Sequence, residues 1–182
     1  MVSQAKAELR RRVLSERESL TTEQRQRLSR EIWKRLSSRP RFKEAKIVAF
    51  YLHKGSEADT DKMIEETLKL GKEVLVPATN QRIEFFKFTS FHDLEKGKYG
   101  IPEPSKKIPP PGPPRVVIIP GIAFGLCMHR IGYGKGYYDD YLSTSSAYRI
   151  GICYDFQLVE KLPTHKKDQR MDEIVTDQRI II

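Results

Sequence analysis

The apolar positions at the start of the chain follow a helical period. Ala5, Leu9 and Val13 recur at i, i+4 and i+8, which predicts a helix over residues 3–20 with a narrow apolar stripe. Lys6, Arg10 and Arg17 fall at i, i+4 and i+11 and share one basic edge of that helix. Thr21, with Gln24 three residues on, offers a capping box for a second helix whose buried stripe is Leu28, Ile32 and Leu36, and Pro40 lies just beyond its end. From residue 46 the period changes. Residues 47–52 are an apolar run short enough for a buried strand. Asp59 and Thr60 supply a cap for a helix that turns Met63, Ile64, Thr67 and Leu68 inward and closes at Gly71; residues 73–76 then form a strand ending at Pro77. Strand, helix and strand in this order make a βαβ unit, with parallel strands and a right-handed crossover.

Further strands are expected over residues 83–88, at an edge or in a hairpin, and over residues 116–119 and 149–154, with short extended pieces near 174–175 and 179–182. Residues 102–114 hold seven of the eleven prolines, excluding helix or central strand there and predicting a stiff surface loop. The alternation predicts a three-layer α/β fold, a mostly parallel sheet flanked by helices, with an N-terminal helical hairpin packed on it. Residues 1–182 are read as one domain, residues 1–40 being the hairpin and 41–182 the α/β body.

Composition narrows the function classes. Hydrophobic residues make up 38% and charged residues 31% of the 182, which suits a folded globular chain. No run of about 18 apolar residues occurs, so no membrane span or membrane partner is expected. The first residues alternate charged and apolar character, and Glu8, Glu16 and Glu18 among Arg10, Arg11, Arg12 and Arg17 argue against a transit peptide; the expected location is cytoplasmic. Cys127 and Cys153 are too few for a disulfide framework and are read as free thiols. The four histidines have no metal-ligand spacing to each other or to the cysteines. A net charge of +9 fits nucleic acid, an acidic membrane surface or small polyanions, and decides little alone.

The chemistry concentrates in residues 116–142: a buried strand, a loop, then a glycine cluster opening a short helix. Gly132, Gly134 and Gly136 alternate, so the loop can take positive φ and bring backbone N–H groups close to a ligand. Such a nest at a helix N-terminus binds phosphate; Lys135 lies inside it as a point charge and Arg130 at its entrance as a bidentate donor. Asp139 and Asp140 begin the helix, where a carboxylate could hold magnesium beside those phosphates. A Walker A loop is excluded, because His129 and Gly136 occupy the places of its first glycine and its hydroxyl residue. A dinucleotide fingerprint is excluded as well: the spacing is G-x-G-x-G and it comes late in the chain.

The run PGIAF followed by RIGYGKGYYDDYL resembles the signature of the 5-formyltetrahydrofolate cyclo-ligase family, also called methenyltetrahydrofolate synthetases. KAELR from Lys6, FYLHKGSEADT from Phe50, GIPEP from Gly100 and DQRMDEIVT from Asp168 resemble its other landmarks, in order along the chain. Tyr133 stands where some members carry an arginine, Lys167 precedes Asp168 where many show His-Asp, and residues 125–129 lack polar side chains common at that place.

The resemblance implies an enzyme of one-carbon folate metabolism, expected as a monomer, that converts 5-formyltetrahydrofolate to 5,10-methenyltetrahydrofolate with ATP and magnesium. Phosphorylation of the formyl oxygen makes it a leaving group, and N10 then closes the ring. Lys6 and Arg10 would contact ATP phosphates; Arg130, Ile131, Gly132, Tyr133, Gly134, Lys135, Gly136, Tyr137 and Tyr138 would cradle the triphosphate, with Lys135, Arg130 and Tyr138 catalytic. Tyr133, Gly134, Lys135, Gly136 and Tyr137 would also border the folate. Leu52 would line the pterin pocket, Glu57 would bind the pterin's N–H groups, and Asp139 and Asp168 would hold magnesium. The rival readings are another ATP-dependent ligase or small-molecule kinase, and a basic nucleic-acid-binding module, against which the acids among the aromatic residues count.

Overall fold

A computed structural model describes residues 2–182. The first helix, α1 (Val2–Glu18), leads to α2 (Thr22–Ser38), which carries the expected capping box: Thr21 Oγ1 accepts from Gln24 N, and Gln24 Oε1 accepts from Thr21 N. Pro40 does more than stop α2. It opens a short helix α3 (Pro40–Glu44) from its first turn, where a missing N–H costs nothing, and that helix buries Phe42.

The body contains β1 (Ile47–Ala49), α4 (Asp61–Lys69), β2 (Glu73–Thr79), β3 (Ile83–Lys87), β4 (Leu94–Lys96), β5 (Pro102–Pro104), β6 (Val116–Ile119), β7 (Ala123–Gly125), β8 (Arg130–Ile131), α5 (Tyr137–Thr144), β9 (Tyr148–Ile152), β10 (Leu158–Val159), β11 (Glu173–Val175) and β12 (Ile180–Ile181). A seven-stranded sheet has the order β12-β11-β9-β6-β1-β2-β3. Its inner strands, from β11 to β2, pair parallel, while β3 and β12 close the two edges antiparallel. The βαβ unit is therefore β1-α4-β2, and residues 83–87 are the hairpin edge expected of them.

Why the inner strands read as continuous apolar runs follows from their two covered faces. Val48, Val74, Val116, Ile118 and Ile150 face one core with Ile32 and Leu36 of α2, Phe42 of α3, and Met63 and Ile64 of α4. Their alternates Ala49, Leu75, Val117 and Ile119 face a second core with Leu142 of α5. Helices on both faces give the three layers.

Several local expectations are corrected. Strand β2 runs on through Pro77 because its neighbour β1 ends at the Ala49–Leu75 pair, so the proline's missing donor falls where no strand needs it. Residues 102–104 are not loop but a strand on the two-stranded ribbon with β4, again at an edge. Thr60 does not cap α4: its hydroxyl donates to Tyr51 O at 2.9 Å, and the Asp59 carboxylate takes the Asp61 N–H instead. In α1, Ala5 is exposed; Leu9, Val13 and Leu14 pack on a small sheet of order β10-β7-β8, while α2 packs on the main sheet. The first two helices thus cover different parts of the body.

Candidate active site

From β1 the chain passes to β2 on one side of the sheet, and to β6 and β9 on the other. The gap between β1 and β6 is the topological switch point, where a crevice opens at the carboxyl ends of parallel strands. A cleft of about 680 Å³ lies there, lined by Tyr51, Leu52 and Glu57 after β1, Pro77 and Thr79 at the end of β2, and Pro120 and Gly121 after β6. All but one of the residues singled out as catalytic, ligand-binding or metal-holding in the sequence line this one cleft: Lys6, Arg10, Leu52, Glu57, residues 130–139 and Asp168. Asp140, beside Asp139, does not.

The glycine turn forms one wall. Gly134 and Gly136 have φ of +94° and +74°, a region that costs an L-residue about 1 kcal/mol or more. Gly136 is the residue before α5, so the turn delivers Tyr137 and Tyr138 into the first helical turn. At Gly132 a Cβ would come within 2.9 Å of Arg130 Nη1, so a side chain there would displace the guanidinium. Arg130 is 7% exposed, lies over the Tyr138 ring at 5.4 Å, and points Nη2 at Asp139 Oδ1, 3.4 Å away. Among the described residues its buried Nε has no hydrogen-bond partner, leaving a donor of a buried cation unused. Burial pushes the Tyr138 phenol well above its ordinary pKa, so it stays protonated and acts as a donor rather than a base.

The basic edge of α1 forms the facing wall. Arg10 Nε donates to Gly132 O at 2.9 Å, clamping the turn, and Lys6 Nζ contacts Asp168 Oδ2 at 2.5 Å. Burial raises the Asp168 pKa, but Lys6 and the His165 N–H outweigh it, and the carboxyl is held below the ordinary range. Asp139 Oδ1 also accepts from Gln169 N, which brings the Asp168 loop against α5. These bonds fall on one oxygen of each carboxylate, Oδ1 of Asp139 and Oδ2 of Asp168. Two carboxylates beside several cations suit a hard, oxygen-seeking ion such as magnesium.

The same cleft is also lined by the apolar side chains of Leu52, Ile83, Ile101 and Pro77, and by Glu57. Glu57 is 7% exposed, its Oε2 accepts from Lys54 N at 2.9 Å, and its backbone carbonyl accepts from Tyr154 Oη at 3.1 Å. Burial raises its pKa, against the lowering effects of the Lys54 N–H, Arg17, His53 and Tyr133. Nearby, His53 Nδ1 lies 3.2 Å from Asp61 and 3.6 Å from Asp59; the Asp61 carboxylate raises the imidazole pKa despite burial, which favours an imidazolium ion pair. Spacing along the chain gave no sign of that cluster. Nor was Arg17 marked as a site residue, although its place on the edge shared by Lys6 and Arg10 was the available signal. It is 2% exposed and bonds to Gly121 and Tyr133, which line the cleft, as do Tyr51, Lys54 and Thr79.

Known proteins resemble this chain in sequence and fold. The family model described as the 5-formyltetrahydrofolate cyclo-ligase family matches residues 2–177. The 5-formyltetrahydrofolate cyclo-ligase of Escherichia coli K12 is 30% identical, over 90% of this chain and 96% of its own. A probable 5-formyltetrahydrofolate cyclo-ligase of Caenorhabditis elegans is 27% identical over 100% of this chain and 97% of its own. The solved structure of Aquifex aeolicus 5,10-methenyltetrahydrofolate synthetase superposes with a TM-score of 0.83 at 35% identity, covering 97% of this chain and 91% of that one. With a match over nearly its whole length and a shared fold, the chain belongs to the 5-formyltetrahydrofolate cyclo-ligase family of enzymes.

Proposed function

We propose that the chain converts 5-formyltetrahydrofolate and ATP to 5,10-methenyltetrahydrofolate, ADP and phosphate. The observation that carries this reading is one cleft that joins the cations of the glycine turn and α1 to an apolar lining with a buried carboxylate, Glu57. The first suits a triphosphate. The second suits a pterin, whose flat ring packs on Leu52 and Pro77 while its amino and amide N–H groups donate to Glu57.

The formyl group on N5 is an amide, and N10 cannot expel its oxygen as hydroxide at a useful rate. Transfer of the γ-phosphoryl group to that oxygen breaks the bond to ADP and forms a phosphate ester. N10 then attacks the carbon and loses its proton, phosphate departs with the oxygen, and the N5–C–N10 bridge closes. The protein's task is positioning and charge neutralisation. Lys135 and Arg130 hold the γ-phosphoryl oxygens, Lys6 and Arg10 hold the rest of the chain of phosphates, and the Tyr138 hydroxyl donates into the same space. Asp139 and Asp168 would hold magnesium, which would supply further neutralisation of phosphate charge.

Purified protein mixed with ATP, magnesium chloride and 5-formyltetrahydrofolate is expected to develop methenyl absorbance, with ADP appearing in equal amount. Folded protein that gives no absorbance, or that consumes ATP at the same rate without folate, would overturn the assignment and favour a different ligase or kinase.

A further inference from the structure

We propose that Arg17 is a positioning residue for the pterin end of the cleft: from within α1 its guanidinium fixes the Tyr133 hydroxyl against Glu57, setting the pose in which that carboxylate meets the ring. The proposal rests on the reading of Glu57 as the pterin's partner. Arg17 donates from Nε to Ser56 Oγ at 3.0 Å, from Nη1 to Gly121 O at 3.4 Å, and from Nη2 to Tyr133 Oη at 2.8 Å. Ser56 precedes Glu57, Gly121 follows β6, and Tyr133 lies in the glycine turn, so three walls of the cleft converge on one guanidinium. Tyr133 and Glu57 face each other electrostatically: the phenol lowers the Glu57 pKa and the carboxylate raises that of Tyr133.

The position is a poor one for a purely structural arginine. Arg17 continues the stripe of Leu9 and Val13 that packs on the small sheet, where leucine or methionine would fill the space without burying a charge. Among the described residues no carboxylate oxygen lies within ion-pairing distance of its guanidinium, and the anion that balances it is Glu57, reached through Tyr133. A buried cation with a relayed anion is retained for what it does to the anion.

The groups facing Glu57 are Arg17 of α1, Tyr133 of the glycine turn, His53 and the Lys54 N–H of the segment after β1, Tyr51 of that segment, and Tyr138 of α5. Burial pushes the two further phenols, Tyr51 and Tyr138, upward, so they stay neutral. Arg17 and Tyr133 act against the burial that raises Glu57. Removing either favours the protonated carboxyl, which cannot accept from two pterin donors. Affinity for 5-formyltetrahydrofolate should therefore fall off at a higher pH than in the unaltered protein.

The test is 5-formyltetrahydrofolate binding without nucleotide, by calorimetry from pH 5 to 8.5, for Arg17→Met, Arg17→Lys, Tyr133→Phe and Glu57→Gln. Arg17→Met should move the acid limb up by about one pH unit, a roughly tenfold loss of affinity below it. Tyr133→Phe should move it the same way by less, and Arg17→Lys should recover part of the Arg17→Met shift. Glu57→Gln is the control: unchanged affinity and an unchanged limb there would overturn the pterin reading itself. If Glu57→Gln abolishes the limb while Arg17→Met and Tyr133→Phe leave it at the wild-type pH, the role of Arg17 is wrong and the pterin reading stands. Should Arg17→Met fail to fold, Tyr133→Phe, altered at a half-exposed side chain, decides alone.

Discussion

Replacing Lys135 by alanine is expected to lower the turnover of methenyl formation by about 100- to 1,000-fold, which is about 3–4 kcal/mol of transition-state stabilisation. The side chain is exposed on the glycine turn, where it contributes little packing. The thermal midpoint should stay close to that of the unaltered protein, because exposed substitutions away from special backbone conformations usually change stability by less than about 0.5 kcal/mol. Its neighbours Gly134 and Gly136 carry the positive φ values, so the turn keeps its shape without the lysine. The loss should fall on kcat rather than on nucleotide affinity, since Arg130, Lys6 and Arg10 still hold the triphosphate while the charge that develops on transfer loses its nearest point cation. Steady-state kinetics with a parallel thermal melt measures both quantities. Wild-type turnover in a folded Lys135→Ala protein would remove Lys135 from the reaction.

The second large effect concerns Glu57. Glu57→Gln is expected to weaken 5-formyltetrahydrofolate binding by about 10- to 100-fold, the range for losing charge-assisted hydrogen bonds of about 1.5–3 kcal/mol, and to leave ATP binding unchanged. Stability should move the other way. Burial raises the folded-state pKa of Glu57, so its favourable contribution is complete below the unfolded carboxyl pKa and is lost as pH rises through the folded value. At neutral pH the ionised group therefore opposes folding, and the neutral amide, similar in shape, should fold at least as stably. Isothermal binding together with urea unfolding at pH 7 checks the pair of results. Undiminished folate affinity would contradict the pterin role; a large stability loss with affinity unchanged would make Glu57 structural.

Much of the fold was legible because its signals are local. The Thr21–Gln24 capping box, the stripe Ile32 and Leu36, and the apolar runs at 47–49 and 116–119 each need only their own neighbours to take shape. The glycine turn was legible for the same reason: positive φ at Gly134 and Gly136 belongs to the residues themselves. What escaped depended on partners distant in the chain. Pro77 stays in a strand because β1 ends opposite Leu75, and no window around residue 77 contains that information. Pro102 and Pro104 form a strand because Leu94 and Lys96 lie beside them. Thr60 caps nothing because Tyr51 O offers its hydroxyl a buried acceptor. Arg17 was legible only as one charge on the basic edge of α1, because the partners that close around it come from beyond β6, the loop before α4 and the glycine turn.

The candidate site shows the same division. Residue types and spacing identified the turn and its cations, but not that the edge of α1 would clamp it, Arg10 on Gly132 and Lys6 on Asp168. Nor did they place the cleft at the switch point between β1 and β6, which only the strand order defines.

The most direct test is a crystal structure of the protein with a non-hydrolysable ATP analogue, magnesium and 5-formyltetrahydrofolate. The predicted result puts the terminal phosphate on the amides of residues 132–136 with Lys135 and Arg130 on its oxygens, the pterin edge on Glu57, and the formyl oxygen facing the phosphorus. Nucleotide bound elsewhere, with the glycine turn closed on itself and no pterin on Glu57, would contradict the account.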